Sequence, residues 1–387
     1  MKVKWNTPLL TSLMALQAVL GARVALRLLQ SAGGERISLA EASAAEGERV
    51  SVIVPVLNER ARLAPCLEGL IAQGPEVTEI VVVDGGSDDG TQELVCSYAT
   101  RDARLRLVDA SPVPANYNGK AWGLQAGFRA IRSDAQWLLT VDADIRPAPM
   151  LAAALLGRAK RMGLAALSIA TLQEIEGTGE GMLHPSLLTT LVYRCGIPGK
   201  TFRRISEVQA NGQCFLFSRE ALEACGGFLG TYDSLCEDIT IARTLLSKGY
   251  APGFYETDNL VRVKMYTGWR ETWRNWTRSL PMHDRFSGRH TLLGWLEVTL
   301  VQALPLPLFL LLLIARTPHR RFLALNGFLA AMRIGVLFGT ARAYARRPWS
   351  YWLSPLCDLP VAIQLGRSAL RRRHVWRGRV LLRGGSL

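Results

Sequence analysis

Two clusters of acidic residues, each directly after a run of apolar residues, are the features of this sequence best suited to chemistry. The first is VVVDGGSDDG at 81–90 and the second is LLTVDAD at 138–144. A strand that stops at an aspartate presents it at the carboxyl edge of an open α/β sheet, where such sheets bind ligands. Together with a third acidic pair, Glu237 and Asp238, the pattern predicts a site that holds a metal ion and an anionic ligand.

Strands and helices alternate from residue 50 onward, and this alternation would build the sheet that positions the acidic clusters. The pattern predicts strands at 51–55, 79–83, 105–109 and 137–141, and helices at 60–73, from Thr91 onward, and at 120–131. A β-α-β-α order predicts a doubly wound, mostly parallel sheet with right-handed crossovers. We therefore expect an α/β, Rossmann-like domain over residues 49–268.

Long apolar segments flank this domain on both sides. Residues 1–30 are predicted to be a retained membrane anchor and 31–48 a linker, although an interfacial helix or a signal peptide stays open for 8–29. The C-terminal region over 289–370 is predicted to be transmembrane. It would contain spans at 291–315 and 322–341, and a third span or re-entrant segment at 351–366.

Charge and cysteine content restrict the possible partners. The net charge of the chain is +14. The residues from Arg316 onward include 14 arginines and one acid and account for almost all of this charge, so residues 1–315 are nearly neutral. A basic tail (371–387) beside apolar segments favours an anionic membrane surface over nucleic acid. If all three C-terminal segments crossed, this tail and the α/β domain would lie on opposite sides, against the positive-inside tendency. Seven scattered cysteines without a C-x-x-C pair predict neither a zinc site nor a disulfide framework.

Five short motifs occur in the order seen in family 2 glycosyltransferases, and the chain resembles that family over about residues 50–280. The motifs are VPVLNE at 54–59, VDGGSDDGT at 83–91, GKA at 119–121, DAD at 142–144 and CED at 236–238. The resemblance implies the GT-A fold and an inverting transfer of a sugar from a nucleotide-sugar donor. It also implies Mg²⁺ or Mn²⁺ as cofactor, because the donor diphosphate needs charge neutralisation.

The resemblance assigns roles to individual residues. Asp144 would be the metal ligand, and Asp142 would support the metal or lie near the ribose. Asp84 would contact a uracil-type base. Asp238 would be the catalytic base, and Glu237 would orient or contact the acceptor. The other implied donor-binding residues are Pro55, Asn58, Glu59, Lys120, Asn211 and Gly212.

Several of these residues have a competing local interpretation. Asn58 and Glu59 also suit the start of a helix, and so do Glu237 and Asp238, where acidic side chains cap and favour the helix N-terminus. For Lys120, contact with a diphosphate and a solvated position at a helix start are equally compatible with the sequence.

A tryptophan-rich segment predicts an interfacial amphipathic helix over 269–288. Its tryptophans fall on one helical stripe with arginines on a neighbouring stripe, a pattern typical of a helix that lies on a membrane surface. The arginines would also suit a diphosphate, and a helix that faces the protein core is the alternative. The stripe consists of Trp269, Trp273 and Trp276, with Arg270 and Arg274 beside it.

These features predict a non-processive, inverting glycosyltransferase that moves a single sugar, from a UDP-sugar by family likeness, to a lipid hydroxyl. The Q-x-x-R-W motif of polymer-forming members is absent, and the nearest resemblance is to bacterial enzymes that glycosylate carotenoid or hopanoid lipids. Polyprenyl phosphate, ceramide and diacylglycerol are alternative acceptors. A non-catalytic membrane scaffold and a small transporter are alternatives from other classes. We expect a multi-pass protein of the cell membrane with its catalytic domain facing the cytoplasm.

Overall fold

The structure is a computed structural model that describes residues 7–45, 47–115, 117–279, 288–316, 319–371, 373–376 and 379–382. Its strands are β1 (Arg36–Ile37), β2 (Val50–Val56), β3 (Val77–Asp84), β4 (Leu105–Asp109), β5 (Trp137–Val141), β6 (Ile145–Pro147), β7 (Ala166–Ala170), β8 (Leu172–Glu174), β9 (Lys200–Thr201), β10 (Cys214–Ser218), β11 (Pro252–Thr257), β12 (Val261–Val263), β13 (Tyr344–Arg346), β14 (Arg373–Trp376) and β15 (Arg379–Leu382). Its helices are α1 (Thr7–Ser31), α2 (Arg60–Ile71), α3 (Thr91–Ala99), α4 (Gly119–Ala130), α5 (Leu151–Met162), α6 (Thr178–Cys195), α7 (Arg219–Ala224), α8 (Glu237–Ser247), α9 (Trp269–Ser279), α10 (Gly288–Glu297), α11 (Pro305–Ile314), α12 (Arg320–Thr340) and α13 (Asp358–Leu370).

The central sheet has the strand order β1-β11-β7-β10-β5-β2-β3-β4, with β9 paired to β11. β10 is antiparallel to β5 and β7, and β9 is antiparallel to β11, whereas the other pairings are parallel. Most residues of β2 and β3 are apolar and almost all are buried, as is typical of parallel strands covered by helices on both faces. The predicted mostly parallel α/β architecture is confirmed, and β4 and β5 have the predicted bounds.

The segment predicted to be a linker is an integral part of the α/β domain. β1 pairs in parallel with β11, and the 3₁₀ helix Leu39–Ala45 packs against α5. Arg158, a residue that is only 1% exposed, forms an ion pair of 2.7 Å with Glu41. The linker expectation over 31–48 is therefore wrong, because small and charged residues that look like a loop find their buried partner far away in the chain.

The helices outside the domain form one bundle. Among the described residues, two helices are long and apolar enough to cross a membrane, Pro8–Ser31 and Arg320–Ala343. A third span results if Gly288–Ala303 and Pro305–Ile314, which are bent by 40° relative to each other, are taken as one. A π-helical turn over Val298–Ala303 and Pro305 lie at this bend, and both are known causes of kinks.

Contacts inside the bundle show the direction of each helix. Leu10, Leu312 and Phe322 form one apolar cluster at the end far from the α/β domain. At the other end Arg27 pairs with Glu297 at 2.9 Å. α10 and α11 therefore lead the chain away from the domain, and α12 brings it back.

After α12 the chain packs on the α/β domain. β13 pairs in parallel with β8 and completes a second sheet, β13-β8-β12-β6. Asp358 is buried at the start of α13, where it pairs with Arg333 of α12 at 2.8 Å and accepts a hydrogen bond from Ser186 of α6. α13 has only 13 residues, fewer than a bilayer span requires. Residues 351–366 are accordingly not among the candidate spans of the described part of the chain, and the re-entrant alternative stays a prediction.

Two sequence expectations fall partly outside the described residues. The last part of the predicted interfacial helix, 280–287, lies outside them. So do positions 372, 377–378 and 383–387 of the basic tail. The described start of that tail follows α13, which contacts α6, α9 and α10 at the domain end of the bundle.

Candidate active site

The carboxyl edge of the central sheet forms the polar end of a cavity of about 1010 Å³. The other end is apolar and extends between α1, α6 and α12. The structure therefore brings most of the sequence-predicted positions together in one wall. The predicted residues that line the cavity are Pro55, Glu59, Lys120, Asp142, Asp144, Asn211, Gly212, Glu237, Asp238 and Trp276.

Lys120 connects the acidic clusters at the polar end. The side chain of Asn118 caps α4 by accepting a hydrogen bond from the Lys120 backbone N–H, and this places Lys120 in the first turn. Its Nζ lies 2.7 Å from Asp142 Oδ1 and 2.8 Å from Glu237 Oε1. Burial alone would lower the pKa of this ammonium group, but the two carboxylates outweigh burial and raise it. Lys120 is therefore not a solvated residue at a helix start.

Asp144 is the strongest candidate for a metal ligand. Its Oδ1 is buried and has no hydrogen-bond partner among the described residues. Burial, followed by the nearby Asp142, raises the pKa of Asp144 to about 7. No group of three or more His, Cys, Asp or Glu side chains forms a metal cage in the described part of the chain. One or two carboxylates with open positions suit Mg²⁺ or Mn²⁺, which keep water and phosphate ligands, better than a closed zinc site.

Asp238 is held by backbone groups on both of its carboxylate oxygens. Gly212 N–H donates to Oδ2 at 2.7 Å, and Ile239 N–H donates to Oδ1 at 2.8 Å. Burial, followed by repulsion from Glu237, raises the pKa of Asp238 to about 7. A fixed carboxylate with a pKa near neutrality can accept a proton, so its position at the start of α8 does not restrict it to capping.

Gly212 is required by the close approach of these groups. A Cβ atom added at this position would lie 2.8 Å from Lys120 Nζ and 3.1 Å from Glu237 Oε1. The backbone carbonyl of Gly212 also accepts a hydrogen bond of 3.2 Å from Lys120. A side chain here would push the cation and the acidic pair apart.

The side chain of Asn211 stabilises the turn that leads into β10. Its Nδ2 donates to Gln213 Oε1 at 3.0 Å, and its Oδ1 accepts from the Gln213 backbone N–H at 3.2 Å. The Thr171 hydroxyl donates to the same Gln213 oxygen. Gln213 and Thr171 also line the cavity and were not predicted from the sequence. The signal that could have identified Gln213 is its position two residues after Asn211 and directly before a strand.

Asn58 and Asp84 lie beside the cavity and do not line it. Asn58 has a left-handed backbone (φ 55°), and its side chain accepts a hydrogen bond from the Asp88 backbone N–H at 2.9 Å. Asp84 is fully buried and accepts hydrogen bonds from the backbone N–H groups of Gly86 and Ser87 and from Gln92. Both side chains shape the loop between β3 and α3, and a contact of Asp84 with a base stays a prediction.

The tryptophan stripe of α9 packs mainly against the protein. Trp276 is only 6% exposed and stacks on His184, with ring centroids 4.0 Å apart. Trp273 is half-buried in the same apolar cluster, and only Trp269 is largely exposed, at 52%. The expectation that all three rings face a membrane surface is therefore wrong. The core-facing alternative is correct for Trp276, because α6 and α13 cover this face.

Two arginines of α9, Arg270 and Arg274, do not reach the cavity either. Arg270 and Arg274 are exposed and are not among the lining residues, so the expected diphosphate contact has no support in their position. The face of α9 that lines the cavity instead presents Glu271, Asn275 and Trp276. The spacing of Glu271 and Asn275, four residues apart, was the signal for this polar stripe.

Three lining arginines were also missed, one of them Arg342. Arg62 of α2 pairs with Glu59 at 3.0 Å, an i,i+3 pair that the sequence could have indicated. Arg194 lies near the end of α6, where its Nε donates to the Thr190 carbonyl at 3.0 Å. Nothing in the local sequence distinguishes Arg194 from a surface residue, because neighbours such as Glu297 and Arg27 come from distant parts of the chain.

Known proteins share part of this sequence. The profile described as Glycosyl transferase family 2 matches residues 51–226. A dolichyl-phosphate beta-glucosyltransferase from Trichomonas vaginalis is 38% identical over 100 residues, 24% of this chain and 28% of that protein. An undecaprenyl-phosphate 4-deoxy-4-formamido-L-arabinose transferase from Pseudomonas aeruginosa is 37% identical over 101 residues, 25% of this chain and 28% of that protein. The match therefore spans less than a third of either relative.

A solved structure extends the likeness to most of the fold. The mannosyltransferase PcManGT from Pyrobaculum calidifontis, in complex with GDP-Man and Mn²⁺, gives a TM-score of 0.50 at 18% identity over 92% of this chain and 99% of that chain. At this identity the likeness concerns the fold alone, which is GT-A-like. With that fold, the strand-end aspartates and the profile match, residues 51–226 form a glycosyl transferase family 2 domain.

Proposed function

We propose that this chain moves one sugar from a nucleotide-sugar donor to the hydroxyl group of a membrane lipid. The observation that carries the proposal is the single cavity that joins the carboxylates at the sheet edge to helices α1 and α12, the two candidate membrane spans. A nucleotide sugar is a hydrophilic anion and a lipid is apolar, so an enzyme that joins them needs both kinds of wall in one cavity. The family 2 domain and the lipid-phosphate relatives support this proposal.

Asp144, with Asp142 beside it, is the proposed site for Mg²⁺ or Mn²⁺. When bound, the ion would neutralise the donor diphosphate and stabilise the nucleotide as it leaves. The Asp144 oxygen, which has no hydrogen-bond partner within the described ranges, supports this assignment, and the GT-A neighbour was solved with GDP-Man and Mn²⁺. Lys120 holds Asp142 in place through their ion pair of 2.7 Å.

Asp238 is the proposed general base. The acceptor oxygen forms a bond to the anomeric carbon, the bond from that carbon to the diphosphate breaks, and the hydroxyl proton passes to Asp238. Attack opposite the leaving group inverts the anomeric configuration. The two backbone hydrogen bonds from Gly212 and Ile239 hold the carboxylate in one orientation toward the cavity.

The charge of the cavity favours a neutral acceptor. Seven carboxylates and four cationic side chains line it, and the cations Lys120 and Arg62 are already paired. A donor diphosphate with its metal ion would use the open carboxylates, whereas a second phosphate on the acceptor would meet an acidic wall. We therefore favour a lipid alcohol, of isoprenoid type such as a carotenoid or hopanoid. A polyprenyl phosphate, the acceptor class in the names of the two relatives, is the alternative.

We further propose a multi-pass protein of the cell membrane with its domain and basic tail together on the cytoplasmic side. The return of α12 to the domain and the short α13 support this arrangement. It satisfies the positive-inside tendency, which three complete C-terminal spans would have violated.

The direct test uses membranes that contain the full chain, a panel of radiolabelled nucleotide sugars, and Mn²⁺ or EDTA. We expect metal-dependent label in the organic phase, lost in Asp238→Asn and kept in Asp134→Asn, whose side chain is 70% exposed on the surface. Anion-exchange chromatography of the labelled lipid distinguishes a neutral glycolipid from a sugar phosphate lipid. Label in a water-soluble product, or equal activity of Asp238→Asn, would contradict the proposal.

A further inference from the structure

The helices α1 and α12 touch along one half of their length and both line the cavity along the other half. A Cβ added at Gly21 of α1 would lie 2.8 Å from Leu329 Cδ2 of α12, so the helices are in tight contact at this level. Nearer the α/β domain, Leu28 and Leu29 of α1 and Met332 of α12 line the cavity. Because Leu29 is 73% exposed, this part of the cavity wall reaches the outer surface of the bundle.

Two glycines of α12 form the opposite side of this opening. Gly335 and Gly339 lie four residues apart, hence on one face of the helix, and both line the cavity. A Cβ added at either position would meet no atom within 4 Å. Gly327 of the same helix differs, since its added Cβ would lie 2.9 Å from Phe309. Gly335 and Gly339 therefore do not serve close helix packing, and the missing side chains leave open space.

The opening leads to the polar end of the same cavity. Between this opening and the polar end lie the apolar residues Leu188 and Leu191 of α6. Beyond them lie Asp238 and the buried Asp144 oxygen that has no hydrogen-bond partner in the described part of the chain. A cavity of about 1010 Å³ is at the upper end of the range for one small-molecule ligand, so it has room beyond a donor alone. Its shape suits an amphiphile whose polar end reaches the carboxylates and whose apolar body extends out through the opening between α1 and α12.

We propose that the lipid acceptor enters from the side, through the opening between α1 and α12, with its apolar body between Leu28 and Leu29 on one side and Gly335 and Gly339 on the other. This inference rests on the proposed function, because it assigns the route by which that acceptor reaches Asp238. Both helices are candidate membrane spans, so the opening faces the apolar phase in which such a lipid is dissolved.

The test fills the opening without disturbing the packing. Gly335→Leu, Gly339→Leu and the double variant place side chains in open space, and leucine also favours a helix more than glycine does. Ile334→Leu and Phe338→Leu are the matched controls, since both side chains are exposed on α12 and neither lines the cavity. The probe is a hexadecanol that carries a diazirine, in vesicles of phosphatidylethanolamine and phosphatidylglycerol, with crosslinked peptides mapped by mass spectrometry.

We expect crosslinks on 28–32 and on the cavity-lining positions Met332, Val336 and Thr340 that fall about tenfold in the double variant, the change that about 1.4 kcal/mol of lost binding produces. Crosslinks at the exposed Phe338 face should persist and report ordinary contact with the bilayer. Sugar transfer to membrane lipid should fall in parallel, while binding of the radiolabelled nucleotide sugar stays unchanged.

Equal crosslinking and equal transfer in the double variant would overturn the lateral route while leaving the proposed function intact. Conversely, glycine-dependent crosslinking without any sugar transfer would support the lipid site and contradict the proposed activity. The two failures are therefore distinguishable.

Discussion

The Nζ atom of Lys120 lies 2.7 Å from Oδ1 of Asp142, and this contact ties the first turn of α4 to the residue that follows β5. The same nitrogen is 2.8 Å from Glu237 at the start of α8. One buried cation therefore holds together acidic residues from two distant parts of the chain, which would repel each other without it.

Loss of this cation should impair proton transfer. Lys120→Met removes the positive charge beside Asp238 and raises the pKa of Asp238 further, so less of the base is ionised at pH 7. We expect sugar transfer to fall about 100-fold at that pH, with partial recovery at higher pH. Lys120→Arg, which keeps the charge, should retain more activity. Wild-type rates with an unchanged pH profile in Lys120→Met would contradict this role.

The wild-type enzyme should lose activity as the pH falls through about 7. Burial and Glu237 raise the pKa of Asp238 to about 7, and only the ionised carboxylate can accept the acceptor proton. Below this pKa the rate should decrease about tenfold per pH unit. The measurement is kcat/KM between pH 5.5 and 8.5, a range chosen to span about one unit or more on each side. A flat profile would argue against Asp238 as the base.

Asp144→Asn should weaken binding of the divalent ion itself. The substitution removes the charge of a carboxylate whose buried oxygen has no partner among the described residues. We expect the affinity for Mn²⁺, measured by electron paramagnetic resonance with the donor nucleotide present, to fall at least about tenfold. Asp88→Asn, at an exposed carboxylate outside the cavity, is the control. An equal loss in both variants would mean that Asp144 is not a specific ligand.

Trp276 and Trp269 should behave differently although they share a helix. Trp276 is buried against the ring of His184. Burial lowers the pKa of His184 to about 3, so the imidazole is neutral in this contact. We expect Trp276→Ala to cost about 3–5 kcal/mol of unfolding free energy, as for other large-to-small core substitutions. Trp269→Ala should change it by less than about 0.5 kcal/mol. Denaturant unfolding of both variants in the same detergent measures the two free energies of unfolding. Equal losses in the two variants would contradict the core-facing position of Trp276 and favour the interfacial interpretation.

The ion pair of Arg333 and Asp358 should be essential for docking the segment after α12. Arg333→Met leaves Asp358 buried with its ionic partner missing, which costs about 3–5 kcal/mol in comparable sites. The double variant Arg333→Met/Asp358→Asn should lose less than the sum of the two single variants, because the residues are coupled. Thermal unfolding of all four proteins measures this coupling. Strict additivity would show that the contact contributes little.

Much of the domain was predictable because its signals are local. Each apolar run that ends in aspartate, at Asp84 and Asp142, is bounded within a few residues, and the strands formed there as expected. Asn118 directly before Lys120 likewise marks the start of α4. The approach of Asp238 to this edge followed only from the family resemblance.

Other features depend on partners distant in the chain, so local patterns misled. Residues 31–48 have a loop-like composition, yet Glu41 pairs with Arg158 of α5. The tryptophans of α9 have the spacing of a surface helix, yet α6 covers Trp276. In both cases the same sequence pattern suits two environments, and only the neighbouring element distinguishes them.

The sequence by itself determined the α/β domain, the chemical character of the site and the presence of apolar helices. These features depend on strand, helix and charge patterns, which arise from residues close together in the chain. The tertiary structure decided which helices return to the domain, which side chains face the cavity and where that cavity opens. These properties depend on contacts such as Arg27 with Glu297 and Gly21 with Leu329, whose partners are hundreds of residues apart. Such contacts are set by the packing of whole elements, which no local pattern encodes.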